Sequence, residues 1–185
     1  NAKTKLVSVT HVSNALGTIN PVEEIIRLAH QQGIPVMLDG AQATPHMSIN
    51  VKKLDVDFYA FSSHKMYGPT GMGVLYGKSS WLNLLPPWQG GGEMIAEVKW
   101  SGTTYNKLPF KYEAGTPDIA GAIGLAAACD YINQLDRDVM LRYEQSLLTA
   151  CTGAMESIPD VRTVGTAPHK ASVDSFIIDE LKPYL

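Results

Sequence analysis

The sequence predicts an α/β fold with a mainly parallel sheet, on three observations. Strand-like and helix-like runs alternate, the strand-like runs are short, and a polar or glycine-containing segment follows each of the first three. Residues 6–12, rich in Val, Leu and Thr, read as a buried strand that runs into the turn-prone Ser13, Asn14 and Gly17. A helix then opens with Asn20 as N-cap and Pro21 as its first residue, and Glu23 and Glu24 complement the positive end of its dipole. Val22, Ile25, Ile26 and Ala29 follow the spacing of one buried face, and Gly33 ends the helix. Residues 35–38 form an apolar run that stops at Asp39 and Gly40, which completes a strand–helix–strand unit with a right-handed crossover. Further strands are expected at 56–61 and 72–76, separated by the polar loop 62–71. In such a sheet, ligands gather at the carboxyl ends of the strands.

The second half changes character. Residues 86–118 hold Pro86, Pro87, three consecutive glycines from Gly90, Pro109 and Pro117 with little periodicity; a long irregular stretch of this kind carries function or crosses to a partner. Trp88 and Trp100 within it read as packing residues. Residues 119–135, dense in Ala and apolar nearly all round, are expected to form a buried helix. Met140, Tyr143, Leu147, Ala150 and Ala154 step by three and four, giving a second helix with one apolar face. Residues 161–164 and 172–178 read as strands of another unit. A domain change is placed near 130–138, so that 1–130 form part of a large domain and 131–185 begin a smaller α+β domain. The first residue is Asn1 and a strand-like run follows at once, so the chain reads as the middle of a polypeptide about twice as long.

Composition removes several function classes. A formal net charge of −3 and a pI near 5.9 provide no basic surface for a nucleic-acid backbone. No apolar run reaches the roughly 18–20 residues of a membrane span, and the protein is expected to be soluble and cytoplasmic. Cys129 and Cys151 are too few for a disulfide framework and lack metal-ligand spacing, so no metal site is expected; both lie on expected apolar helix faces and read as small core residues. No glycine-rich nucleotide motif follows a strand, which argues against a nucleotide-binding Rossmann domain.

Four short segments carry chemistry: THVSNALGT at 10–18, DGAQA at 39–43, SSHKMYGPTG at 62–71 and EAGTP at 113–117. The first three each follow an expected strand and should therefore converge on one rim of the sheet. Asp39 ends a strand, where a carboxylate can sit partly buried; once buried it needs a cationic or hydrogen-bonding partner, although alone it also fits a cap or a turn. Lys65 lies among Ser62, Ser63, His64 and Tyr67. A lone lysine is usually a surface residue, but an amine at a strand end beside hydroxyls and an imidazole loses its proton readily and attacks carbonyls. His64, next to Lys65 and Ser62, suits a phosphate.

DGAQA, then SSHKMYGPTG with its lysine 26 residues after Asp39, then GGGEMI and EAGTP form a specific ordered set. The chain resembles the class V aminotransferase group of fold-type I pyridoxal-phosphate enzymes, and within it the SufS/CsdA-type cysteine desulfurases, over almost its whole length. The resemblance implies a three-layer α/β/α large domain that binds pyridoxal 5'-phosphate, with Lys65 holding the cofactor as a Schiff base and moving protons at the substrate α-carbon. It implies Asp39 on the pyridine nitrogen, Gln42 on the phenolic oxygen, Asn14 at the same edge, and Ser62 and His64 on the phosphate. Thr116 would reach the phosphate of a neighbouring subunit, making the protein a homodimer, and 90–95 would lean toward the partner's site. The implied reaction converts L-cysteine to L-alanine and hands sulfur as a persulfide to an acceptor protein for iron–sulfur cluster assembly. A transaminase, a selenocysteine lyase or a non-catalytic fragment shares these segments. The loop with the family's nucleophilic cysteine and the carboxylate-binding arginine would lie beyond Leu185, and the ring-stacking histidine before Asn1. Ser63 stands where the family usually has glycine.

Overall fold

A computed structural model describes residues 1–178 of the 185; residues 179–185 of the expected small domain lie outside the described ones. A four-stranded sheet forms the centre, in the order β1 (Val7–Thr10), β2 (Val36–Asp39), β3 (Phe58–Ser62) and β4 (Gly73–Gly77). β1, β2 and β3 run parallel, and β4 returns antiparallel to β3. Chain length dictates the reversal: only residues 63–72 link the two strands, and a parallel crossover needs about a dozen or more.

α1 (Val22–His30) lays Val22, Ile26 and Ala29 on the sheet, where they join Val36, Leu38, Val56 and Tyr59 in one core. The expected cap moves by one residue. Pro21 occupies the N-cap without a side-chain bond, and the Asn20 amide instead donates to the Thr10 carbonyl at 2.7 Å, fastening the start of the helix to the end of β1. Gly33 adopts the left-handed conformation that ends the helix, as expected. The single turn α2 (Val51–Leu54) was not foreseen, because one turn has no periodicity to read; Asn50 caps it by accepting from the Lys53 amide at 2.9 Å.

α3 (Ser79–Leu84) follows β4. The stretch expected to be irregular holds an antiparallel hairpin of β5 (Ile95–Lys99) and β6 (Gly102–Tyr105). Met94 anchors it and is fully buried. Lys111 donates to the Leu82, Asn83 and Leu85 carbonyls, and the Tyr112 hydroxyl to those of Leu82 and Leu85, so a cation sits on the free carbonyls at the end of α3. The tryptophans do not pack as expected: Trp88 is 90% exposed and Trp100, beside the hairpin turn, is fully exposed.

α4 (Ile119–Asn133) buries only the stripe of Gly121, Leu125, Ala128 and Ile132, while Ile119, Ile123 and Tyr131 face outward, so the expected all-round burial is not found in this chain. α5 (Arg137–Glu156) buries Leu148 and leaves Tyr143 and Leu147 exposed. Cys151 on α5 is exposed and Cys129 on α4 half-buried, so Cys151 is not the core residue its helix pattern suggested. β7 (Val161–Val164) and β8 (Ser175–Ile178) pair antiparallel beside α5. Ala171, ahead of β8, packs on Val12 and Ala43 and ties this unit to the sheet.

At the amino end of the sheet, Asp57 is buried in a polar knot. It accepts from His30 Nε2 at 2.7 Å, the Val36 amide at 2.8 Å and Trp81 Nε1 at 3.0 Å, with Lys78 Nζ at 3.1 Å. Burial pushes its pKa up, but His30, the Val36 amide, Lys78 and Trp81 together outweigh burial and hold it below the ordinary carboxylate value. Asp57→Ala should destabilise the chain by about 3 kcal/mol at pH 7, because it strands buried donors. A carboxyl with a depressed folded pKa stabilises above its unfolded value and loses that contribution as pH falls through the folded one. The gap between wild type and variant in urea melts should therefore narrow as pH falls below the ordinary carboxylate range.

Candidate active site

The strand register makes three carboxyl ends level. Thr10 lies opposite Asp39, and Asp39 opposite Ala60. The ladder runs one step further, with the His11 amide donating to the Asp39 carbonyl and the Gly40 amide to the Ala60 carbonyl, both at 2.8 Å. The segments that leave β1, β2 and β3 thus share one rim, as the sequence predicted.

After β3 the chain makes a 3-10 turn, Ser63–Met66, closed by Tyr67 in the left-handed region and by the Gly68 amide on the Ser63 carbonyl at 3.1 Å. This turn presents His64 to solvent and Lys65 half-buried. Lys65 Nζ donates to Asn14 Oδ1 at 2.8 Å, joining the first and third segments. Asp39 is exposed rather than partly buried, and its Oδ1 accepts from the Ala41 amide at 2.9 Å. The side chains of Gln42, Ser62 and His64 make no hydrogen bond among the described residues, so their polar ends are free. Ser63 is fully buried with its hydroxyl unpartnered, and a Cβ at Gly68 would lie 2.1 Å from that oxygen.

Beneath the rim are two residues the sequence reading did not single out. The buried Tyr59 hydroxyl and His11 Nδ1 lie 3.2 Å apart, with their rings edge to face. Burial, and then the charge of Asp39, push the Tyr59 pKa up; burial pulls His11 down although Glu23 opposes it. A hydroxyl that keeps its proton suits an unprotonated Nδ1, so the pair is a neutral floor. Gly40 crosses this floor where nothing larger fits: a Cβ there would lie 2.0 Å from the Tyr59 ring. The signal was available, since a histidine and a glycine face each other at adjacent strand ends.

Thr116 is exposed and makes no hydrogen bond with the rim residues among the described ones. Its segment instead joins the triple glycine, the Gly115 amide donating to the Gly92 carbonyl at 3.0 Å. Hollows of about 780 and 380 Å³ lie among the described residues, and Lys65, Asp39 and His64 line neither of them.

A family model described as aminotransferase class-V matches residues 1–185. The chain belongs to the class-V aminotransferase family. It is 50% identical over 181 residues to a cysteine desulfurase of Synechococcus elongatus, covering 98% of this chain and 29% of that protein. It is 52% identical over 174 residues to a cysteine desulfurase of Enterobacter sp., covering 94% and 43%. Among solved structures, cysteine desulfurase CsdA of Escherichia coli superposes with a TM-score of 0.93 at 39% identity, over 98% of this chain and 45% of that one. A C-DES mutant with glycine covalently linked to its PLP cofactor gives 0.84 at 25% identity, over 97% and 48%. This family member therefore spans less than half the length of these relatives.

The donor set of this class-V rim suits an anionic aromatic aldehyde: an amine on a hydrogen-bonded tether, an exposed carboxylate, and uncommitted hydroxyl, imidazole and amide groups. Gly40→Ala should cost about 1–3 kcal/mol through the clash with Tyr59. Combined with Tyr59→Leu it should cost less than the two single changes added together, which guanidinium melts of all three variants would measure.

Proposed function

We propose that the chain is the lysine-bearing part of a pyridoxal-phosphate-dependent cysteine desulfurase. The observation that carries the reading is the 2.8 Å contact between Lys65 Nζ and Asn14 Oδ1 on the rim that Asp39 shares. Ser62 and His64 would hold the phosphate and Gln42 the phenolic oxygen, while Asp39 would keep a proton on the ring nitrogen. When bound, the cofactor supplies an electron sink for the bonds at the substrate α-carbon. Asn14 orients the Lys65 amine through its amide oxygen, and Lys65 moves the proton at the α-carbon of L-cysteine. In the overall reaction the Cβ–S bond breaks, sulfur passes to a thiol as a persulfide, and a proton takes its place on the carbon to give L-alanine. We assign the sulfur-accepting thiol to neither Cys129 nor Cys151. The family pattern puts it in a later loop, and a sulfur-acceptor protein then receives the persulfide.

The same reading makes the protein a homodimer, in which Thr116 reaches the phosphate in the partner copy. The exposed Thr116, Trp88 and Trp100 support it, because a hairpin this bare of cover suits a partner surface. A cytoplasmic location and a large domain ending near 130–138 belong to this proposal. Among the described residues, no helix is long and apolar enough to cross a membrane.

Pyridoxal phosphate added to the full-length protein should give an absorbance band near ~420 nm that Lys65→Ala abolishes while circular dichroism is retained. A band that persists in the variant sinks the assignment of Lys65. Asp39→Ala should slow alanine production from L-cysteine by at least about 100-fold, since the electron sink loses its partner; near-normal turnover removes Asp39 from the site.

A further inference from the structure

The DGAQA segment is held from behind by α5. From Asp39 onward the backbone forms a continuous set of turns. The Ala43 and Thr44 amides donate to the Gly40 carbonyl at 2.9 and 3.0 Å, and the His46 and Met47 amides to the Ala43 carbonyl at 3.1 and 3.0 Å. The Thr44 hydroxyl reinforces the Gly40 carbonyl at 3.1 Å, and Ala43, Thr44 and Pro45 are buried. Residues 40–47 therefore form one hydrogen-bonded run of turns directly after Asp39.

Two contacts from α5 grip the far end of that run. Arg137, the first residue of the helix, donates Nη2 to the Thr44 carbonyl at 2.7 Å and to the Met47 carbonyl at 2.8 Å. Two turns later, Glu144 meets His46 Nδ1 at 3.0 Å, with both side chains largely buried. The other terminal nitrogen of Arg137, Nη1, is buried without a partner among the described residues. An unmet donor is costly in the interior, and packing alone gives no reason to keep a guanidinium there.

We propose that Arg137, His46 and Glu144 are positioning residues: a clamp through which α5 sets the placement of Asp39 and Gln42 against the cofactor. The inference rests on the proposed function, in which Asp39 and Gln42 touch the cofactor ring. The clamp sits behind the rim and is built from the turns that begin at Asp39, so a shift of α5 along the sheet is delivered to the carboxylate with little slack. A charged residue gripping backbone carbonyls transmits position better than apolar packing, because a hydrogen bond is directional and the apolar contact is not.

The test is a double-mutant cycle on the full-length protein, freed of cofactor and titrated with pyridoxal phosphate, reading both the dissociation constant and the position of the absorbance band. His46→Leu and Glu144→Leu should each weaken binding about 5- to 20-fold, and the double variant no more than the worse single one, the pattern of a coupled pair. Glu144→Gln, which keeps an acceptor for Nδ1, should return to within about twofold of wild type. Arg137→Lys, which keeps the charge but not the two-carbonyl grip, should weaken binding and move the band even if a leucine variant fails to fold. Melting temperatures that fall while the dissociation constant and the band stay unchanged would reduce the clamp to a structural staple and overturn the proposal, as would strict additivity in the cycle. A wild-type protein with no Lys65-dependent band overturns the proposed function and this inference together; a wild-type band with unaltered variants overturns this inference alone.

Discussion

Three parallel strands that finish level with one another are the constraint on which the rest of the molecule depends. Thr10, Asp39 and Ala60 occupy one line across the sheet, and each following segment leaves from that line. If β3 slipped by one residue against β2, its side chains would exchange faces and Tyr59 would leave the core. The buried contact between Tyr59 and His11, the glycine that clears the Tyr59 ring and the contact between Lys65 and Asn14 all presuppose this register.

The two aspartates of neighbouring strands differ in how far the fold engages them. Asp57, at the amino end of β3, has donors from His30, Val36, Trp81 and Lys78 and is shut away from solvent. Asp39, at the carboxyl end of β2, has a single backbone donor and stands in the open. A carboxylate with every lone pair engaged can hold elements together but has nothing to offer a ligand. One with a single donor can receive a cationic group without first breaking its own network.

Much of this could be read from the residues. The strand–helix–strand unit was visible in the spacing of Val22, Ile26 and Ala29 and in the stop at Asp39, and the convergence of three loops followed from parallel topology. The family was legible in the order and spacing of the four motifs. Other features were not legible, for physical reasons. Asn20 left the cap because the Thr10 carbonyl, distant in sequence, offered its amide a better partner. The outward apolar faces of α4 and α5 carry the pattern of burial, but a pattern does not say whether the rest of the chain covers it. The grip of Arg137 and Glu144 on 44–47 spans about 90 residues and leaves no local trace.

The β5–β6 hairpin and the segment before it hold two indoles, Trp88 and Trp100, in water, while the third, Trp81, is tied into the Asp57 knot. Indole emission depends on how much water surrounds the ring, and two of the three indoles of this chain stand in water. Any polypeptide that settles over them changes the colour of the light, and the protein thereby carries its own optical gauge of assembly.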